Sequence, residues 1–243
     1  MEFGRVDDVV SRDGQPAPAF LFDPGSASGG VVVSHGYGSS KEEWLGVAAS
    51  VADAGFAVLA IDLRGHGEHS LPVGPGVLDD LVGGVAYMRR YGPVAVVGHS
   101  LSGRLSLMTD ADAVVAIAPS VVQQVSQFGA WMFENMPSPF VSEPYSGYVI
   151  DLLKELGDPP AFPGPALLIY STRDIPNIIA GTQALADTLP QAELQEITHQ
   201  VRPNISSDQP LVRYLPRWFN HMELRANRQL LEVVPAWLKE HLG

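Results

Sequence analysis

The chain has 243 residues, 46% of them hydrophobic and 17% charged, with 24 Gly, 20 Pro and no Cys. That profile excludes disorder, a disulfide-stapled mini-protein, collagen and any cysteine-based chemistry. With 15 basic against 27 acidic residues the formal net charge is −12, which repels phosphate backbones and anionic membrane surfaces, so no nucleic-acid partner is expected. The apolar fraction suffices for one sizeable core, and residues 1–243 read as a single α/β domain. The opening Met1 to Asp8 has neither a basic nor an apolar leader-like region. No run approaches the roughly 18 apolar residues of a membrane span. The expected location is the cytoplasm.

In chain order, Phe3 to Val10 and Ala17 to Phe22 flank a turn at Asp13-Gly14 and predict a leading antiparallel hairpin. Five short apolar runs follow: Gly30 to Ser34, Phe56 to Ile61, Pro93 to Gly98, Ala113 to Ala118 and Ala166 to Tyr170. Being continuous and β-branched rather than alternating, they read as buried parallel strands. Helical spacing appears at Lys41 to Ala54, Leu78 to Tyr91 and Leu224 to Leu242. Strand and helix therefore alternate, as in a mostly parallel sheet flanked by helices.

One stretch breaks the alternation. Residues 121–162 contain no strand-like run, yet they hold Phe128, Trp131, Phe133, Phe140, Tyr145, Tyr148 and Phe162, seven of the chain's 20 aromatics. The composition predicts a small helical cap insertion that packs over something, against the plainer reading of two ordinary packing helices.

Directly after the third buried run stands Gly98-His99-Ser100-Leu101-Ser102-Gly103, followed by a helix-compatible segment. A serine on a tight strand-to-helix turn lies at the carboxyl end of the sheet, where backbone N–H groups favour developing negative charge. Its neighbours two places away must be small, because the turn brings strand and helix backbones together. Gly98 meets this, while Ser102 stands in the place of the second glycine of G-x-S-x-G. His35-Gly36-Tyr37-Gly38 follows the first run, Asp62-Leu63-Arg64-Gly65-His66-Gly67 the second, and Ser171-Thr172-Arg173-Asp174 the fifth. Glu193 to Thr198 reads as a last edge strand ending in His199.

This succession resembles the α/β-hydrolase fold superfamily, of serine esterase or lipase type, from about Gly29 to the C-terminus. The resemblance implies a triad of Ser100 as nucleophile, Asp174 as acid and His199 as base, in the family's chain order. It implies an oxyanion hole from the amides of Tyr37 and Leu101. His221 is the rival base, set aside because no strand precedes it directly. Asp110 and Asp112, rivals to Asp174, fall at the wrong end of the sheet. Ser102 is read as a packing hydroxyl. The cluster His35, His66, Glu68, His69 and His99 matches no standard zinc spacing, and no nucleotide loop is present, so neither metal nor cofactor is expected.

The function expected is hydrolysis of carboxylic esters, thioesters or lactones of small to medium apolar substrates through an acyl-enzyme on Ser100. Phe128, Trp131, Met132, Phe133 and Phe140 are expected to line the substrate pocket, with Met136 beside them. The same triad in related families serves amidases, peptidases, carbon–carbon bond hydrolases and cofactor-free haloperoxidases. A contrasting expectation is a hydrolase-like scaffold that binds a small apolar ligand without forming an acyl-enzyme.

Overall fold

The computed structural model describes residues 1–121, 125–136, 138–143, 147–198 and 215–242. Among them, eight strands make one sheet: β1 (Glu2–Val6), β2 (Ala19–Asp23), β3 (Gly30–Ser34), β4 (Ala57–Ile61), β5 (Val94–His99), β6 (Ala113–Ile117), β7 (Ala166–Ser171) and β8 (Ala192–Ile197). Their order across the sheet is β1-β2-β4-β3-β5-β6-β7-β8. The first two are antiparallel to each other and β2 is antiparallel to β4, while every later pairing is parallel. The leading hairpin is long. Val6 pairs with Ala19, and an inner bridge between Val10 and Pro16 closes over the Asp13-Gly14 turn, where Gly14 takes a φ of 86°.

Among the described residues, eight α-helices flank the sheet: α1 (Leu45–Asp53), α2 (Val77–Met88), α3 (Leu101–Ser106), α4 (Gln127–Asn135), α5 (Tyr148–Glu155), α6 (Pro176–Ala186), α7 (Leu215–Met222) and α8 (Arg228–His241). The alternation of a strand sorts its side chains to two cores. Val31 and Val33 face Val47 and Val51 of α1 and Leu230, Val234 and Leu238 of α8. Val32 faces the other way, with Leu81 and Val85 of α2 and Leu105 of α3. Both faces being covered, β3 to β6 are wholly buried, which is why their sequences are unbroken apolar runs. Helix α8 starts at Asn227, whose side chain accepts from the amides of Gln229 and Leu230.

The strand order reverses between β3 and β5, which lie side by side. The carboxyl ends of two strands at such a switch point leave a crevice for ligands. Here those ends are Ser34-His35-Gly36 and His99-Ser100.

Among the described residues no helix is long and apolar enough to cross a membrane.

Candidate active site

Ser100 joins β5 to α3 with φ 51° and ψ −107°, a conformation that side-chain-bearing residues rarely adopt. The turn is held by close packing. A Cβ on Gly98 would lie 2.4 Å from the carbonyl oxygen of Ser102, so only glycine fits there. Ser102 occupies its position by turning polar contacts inward: its hydroxyl accepts from the His99 amide at 2.9 Å and donates to the Ser34 carbonyl at 2.7 Å, tying the elbow to β3. The close approach to the next strand falls instead on Gly103, where a Cβ would sit 3.2 Å from Pro119 Cα. Leu101 is the first residue of α3, so its amide has no acceptor within the helix.

The turn after β3 lies against Ser100. A Cβ on Gly36 would meet Ser100 Cβ at 3.0 Å and His99 Nδ1 at 2.7 Å. The cap side clamps this turn. Tyr37 donates its hydroxyl to Glu143 Oε2 at 2.5 Å and packs edge-on to Phe133, and Ser138 donates to the Gly38 carbonyl at 2.7 Å. Burial and the Glu143 carboxylate hold the Tyr37 hydroxyl protonated well above its ordinary range. The segment around residue 141 is stitched to the Asp62–Gly67 loop by Gly67 N–H to Phe140 O, Ser142 N–H to Gly65 O and Val73 N–H to Ser142 O.

Asp174 follows β7 and is fully buried. Its Oδ1 accepts from the Ile175 amide at 2.6 Å and faces His221 Nδ1 at 2.9 Å. The other ring nitrogen, His221 Nε2, lies 3.0 Å from Ser100 Oγ. His221 thus contacts both Ser100 and Asp174. His199, the base preferred on the sequence, lies outside the described residues, and among the described residues it is the rival, His221, that makes these contacts. The physical reason is helix α7. Arg217, Asn220 and His221 share one face at helical spacing. Arg217 donates to the Asp174 carbonyl at 2.6 Å and Asn220 to the Arg173 carbonyl at 3.3 Å. These bonds dock the helix on the Asp174 turn and aim the imidazole along it. A docked helix, with no strand directly before it, delivers the ring. Asp112, by contrast, accepts from the Val94 amide at the amino end of β5, away from Ser100.

Beneath His221 the ring of His99 packs at 4.7 Å, and on its other side lies Trp44 at 5.0 Å. Burial holds His99 neutral far below the ordinary imidazole range. Burial likewise pushes His35 down to about 4 and His66 to about 3. In the neighbouring loop the buried Lys41 ammonium lies 2.7 Å from each of Glu42, Asp62 and Glu68. These three carboxylates converge closely enough to suit a cation, and the lysine supplies the positive charge. Arg64 pairs with buried Asp80 through both guanidinium nitrogens Nε and Nη2. The Asp62–Gly67 loop is therefore held by ion pairs under the site.

A cavity of about 80 Å³ opens at Ser100 and His221. Its apolar wall includes Phe133, Leu153, Ile175, Ile178 and Trp218. Of the expected pocket residues, Phe133 lines it. Trp131 and Phe140 are exposed at 37% and 39%, Met136 is exposed, and Met132 is fully buried, none of them on the cavity wall. The side chain of Phe128 is outside the described set. The reason is again spacing: α4 turns residue 133 inward and residue 131 outward. Trp218 and Met222, which complete the wall, were missed because they lie on α7. Their signal is the i, i+3, i+4 pattern of 218, 221 and 222.

The sequence profile of the alpha/beta hydrolase family matches residues 31–239. The putative protein-lysine deacylase ABHD14B of Pongo abelii is 36% identical over 110 residues, which make up 42% of this chain and 52% of that protein. The dihydrolipoyllysine-residue acetyltransferase component of the acetoin cleaving system of Cupriavidus necator is 31% identical over 147 residues, 58% of this chain and 36% of that protein. The chain thus spans about half and about a third of the length of these curated relatives. Among solved structures, the esterase Pf2001 of Pyrococcus furiosus superposes with a TM-score of 0.68 at 20% identity, covering 100% of this chain and 94% of the other.

Proposed function

The chain belongs to the alpha/beta hydrolase family, and from that premise we propose that it is a serine hydrolase cleaving carboxylic esters of small, largely apolar acyl groups. The observation that carries this reading is the imidazole of His221, set between Ser100 Oγ and Asp174 Oδ1 at the mouth of an apolar cavity. The esterase neighbour in fold supports it.

In this mechanism Ser100 Oγ attacks the acyl carbon while His221 Nε2 takes its proton. Asp174 holds the ring by Nδ1 and stabilises the imidazolium. The amides of Tyr37 and Leu101 receive the oxyanion, a role for which the free N-terminal amide of α3 and the glycine-bounded turn beside Ser100 are suited. His221 then protonates the leaving alcohol. Water, deprotonated by the same nitrogen, attacks the acyl-enzyme and releases the acid. Residues 121–162 act as the cap, contributing Phe133 and Leu153 to the acyl pocket. An acyl-amide substrate is the second reading, favoured by the deacylase name of one relative.

A fluorophosphonate probe with peptide mass mapping tests the proposal without a guess at substrate. The expected result is rapid labelling of Ser100 that is lost in His221→Ala and kept in His199→Ala. Well-folded protein that takes no label overturns the hydrolase reading, and labelling that depends on His199 overturns the assignment of the base.

A further inference from the structure

The cavity beside Ser100 contains a buried, unpartnered hydroxyl that the mechanism leaves unused. Ser120 lines it, is only 7% exposed, and its Oγ has no hydrogen-bond partner among the described residues. A buried hydroxyl without a partner is costly and rare, and at a binding site it points to a ligand atom that completes it.

The backbone fixes this hydroxyl firmly. The Ser120 amide donates to the Ser100 carbonyl at 3.0 Å. The Ser120 carbonyl accepts from the buried Arg104 guanidinium at 3.1 Å, which also holds the carbonyls of Leu153 and Gly157. Two residues earlier Ala118 takes a φ of 47°, so the strand end is bent through a strained turn to bring residue 120 to the cavity. Both main-chain groups of Ser120 are thus engaged, and its side chain alone is left to face the cavity. Strain of this kind persists only where the surroundings enforce it, and it gathers at functional sites.

We infer that Ser120 is a substrate-binding residue that donates a hydrogen bond to an oxygen carried by the acyl group close to its carbonyl. The preferred substrates are then esters of short, neutral acids bearing an ether, keto or hydroxyl oxygen one or two carbons beyond the acyl carbon. Neutrality follows from the wall, which among the described residues includes no Lys, Arg, Asp or Glu. Of the other non-nucleophilic hydroxyls on that wall, Tyr37 donates to Glu143 at 2.5 Å and Ser126 accepts from the Gly129 amide at 3.1 Å. The inference rests on the reading of the site as a hydrolase.

Two esters of one alcohol separate the possibilities: p-nitrophenyl methoxyacetate and p-nitrophenyl butyrate, whose acyl chains have equal length and differ by an ether oxygen in place of a methylene. The quantity read is the ratio of their kcat/KM values in the native chain, in Ser120→Ala and in Ser120→Thr. Comparing ratios removes the intrinsic difference in reactivity of the two esters. One hydrogen bond predicts a ratio about three- to tenfold lower in Ser120→Ala than in the native chain, and a ratio restored in Ser120→Thr, which keeps a donor. An unchanged ratio in Ser120→Ala overturns the inference while leaving the hydrolase intact. A Ser120→Ala chain that fails to fold also overturns it, because an unpartnered hydroxyl carries no structural load. Hydrolysis of neither ester by a native chain that takes no fluorophosphonate overturns the hydrolase reading itself, and this inference with it. Labelled protein that hydrolyses neither ester overturns only the acyl preference.

Discussion

The buried imidazoles make a quantitative prediction about acid. His35 and His66 lie beneath the turn that carries Tyr37, with ring centres 5.0 Å apart, and burial lowers them from 6.5 to about 4 and about 3. In the unfolded chain both return to about 6.5. Between these values the unfolded state binds more protons than the folded one, so stability falls as pH falls. The contribution is fully present above about pH 6.5 and is lost progressively toward the folded values. From pH 7 to pH 5 each imidazole removes about 2 kcal/mol, and the pair about 4 kcal/mol. This figure is insensitive to how far below pH 5 the folded values lie, because neither ring takes up much proton above it. His99, lowered in the same direction, adds to the loss. Lowered carboxylates such as Glu68 and Asp80 start from 4.5 and 3.8 and act mainly below this window.

Against a typical total of about 5–15 kcal/mol, such a loss is large. Equilibrium urea unfolding, followed by tryptophan fluorescence at about pH 7, 6 and 5, reads it directly. The variant His66→Phe isolates one proton. It keeps a ring against Tyr37 and His35, and since His66 Nε2 has no partner, the only polar contact it gives up is that of Nδ1 with the Arg64 carbonyl at 3.2 Å. Its loss between pH 7 and 5 is expected to be smaller than that of the native chain by about 2 kcal/mol. Native stability that stays flat over this range, or a variant whose pH dependence parallels it, refutes the reasoning.

Lys41→Met leaves Asp62 buried without its counter-charge, and calorimetry or urea unfolding should show a loss of about 3–5 kcal/mol; a loss under about 1 kcal/mol means that Glu68 and Asp62 relax to water. Arg217→Ala releases α7 from the Asp174 turn, and steady-state kinetics on a reactive ester should show kcat falling about tenfold or more with KM little changed. An unaltered kcat assigns the position of His221 to packing alone. Trp218→Ala widens the acyl pocket and should move the preferred acyl chain to longer esters, whereas Trp131→Ala, off the cavity wall, should leave the chain-length profile as it is. The reverse pattern places the pocket on the outer face of α4.

What the sequence makes legible follows the strength of the local constraint. Strands β3 to β7 are readable because both faces are covered, which forces continuous apolar runs. Ser100 is readable because the tight turn admits only small neighbours, and the departure at Ser102 is compensated by a hydroxyl that replaces open space with two hydrogen bonds. Asp174 is readable from its place after a buried strand. His221 is not, because an imidazole need only present two nitrogens to two fixed atoms, and any element that reaches them serves. Helix α7 reaches them by binding the carbonyls of residues 173 and 174, contacts between residues about 45 positions apart that no local pattern announces. The cap aromatics mislead for a related reason: composition marks the segment as apolar, while the helical phase decides which of its rings turn inward.

Among the described residues, the two non-glycine residues with positive φ, Ser100 and Ala118, end adjacent strands, and the hydrogen bonds there run from one strained turn to the other. The Ser100 amide donates to Ile117 O at 2.9 Å, the Ala118 amide to Ile169 O at 2.7 Å, and the Ser120 amide to Ser100 O at 3.0 Å. Each strained residue costs on the order of 1–3 kcal/mol, and neither turn would hold that conformation alone. Three neighbouring strands, β5, β6 and β7, share the load, and β7 is the strand whose end carries Asp174. Ser100, Asp174 and the Ser120 hydroxyl are therefore positioned by one braced end of the sheet. His221 comes from a helix that grips that same end by its carbonyls. Loosening any one of these turns should displace the others, so the site is expected to lose activity through distant changes at strand ends before the sheet itself loses stability.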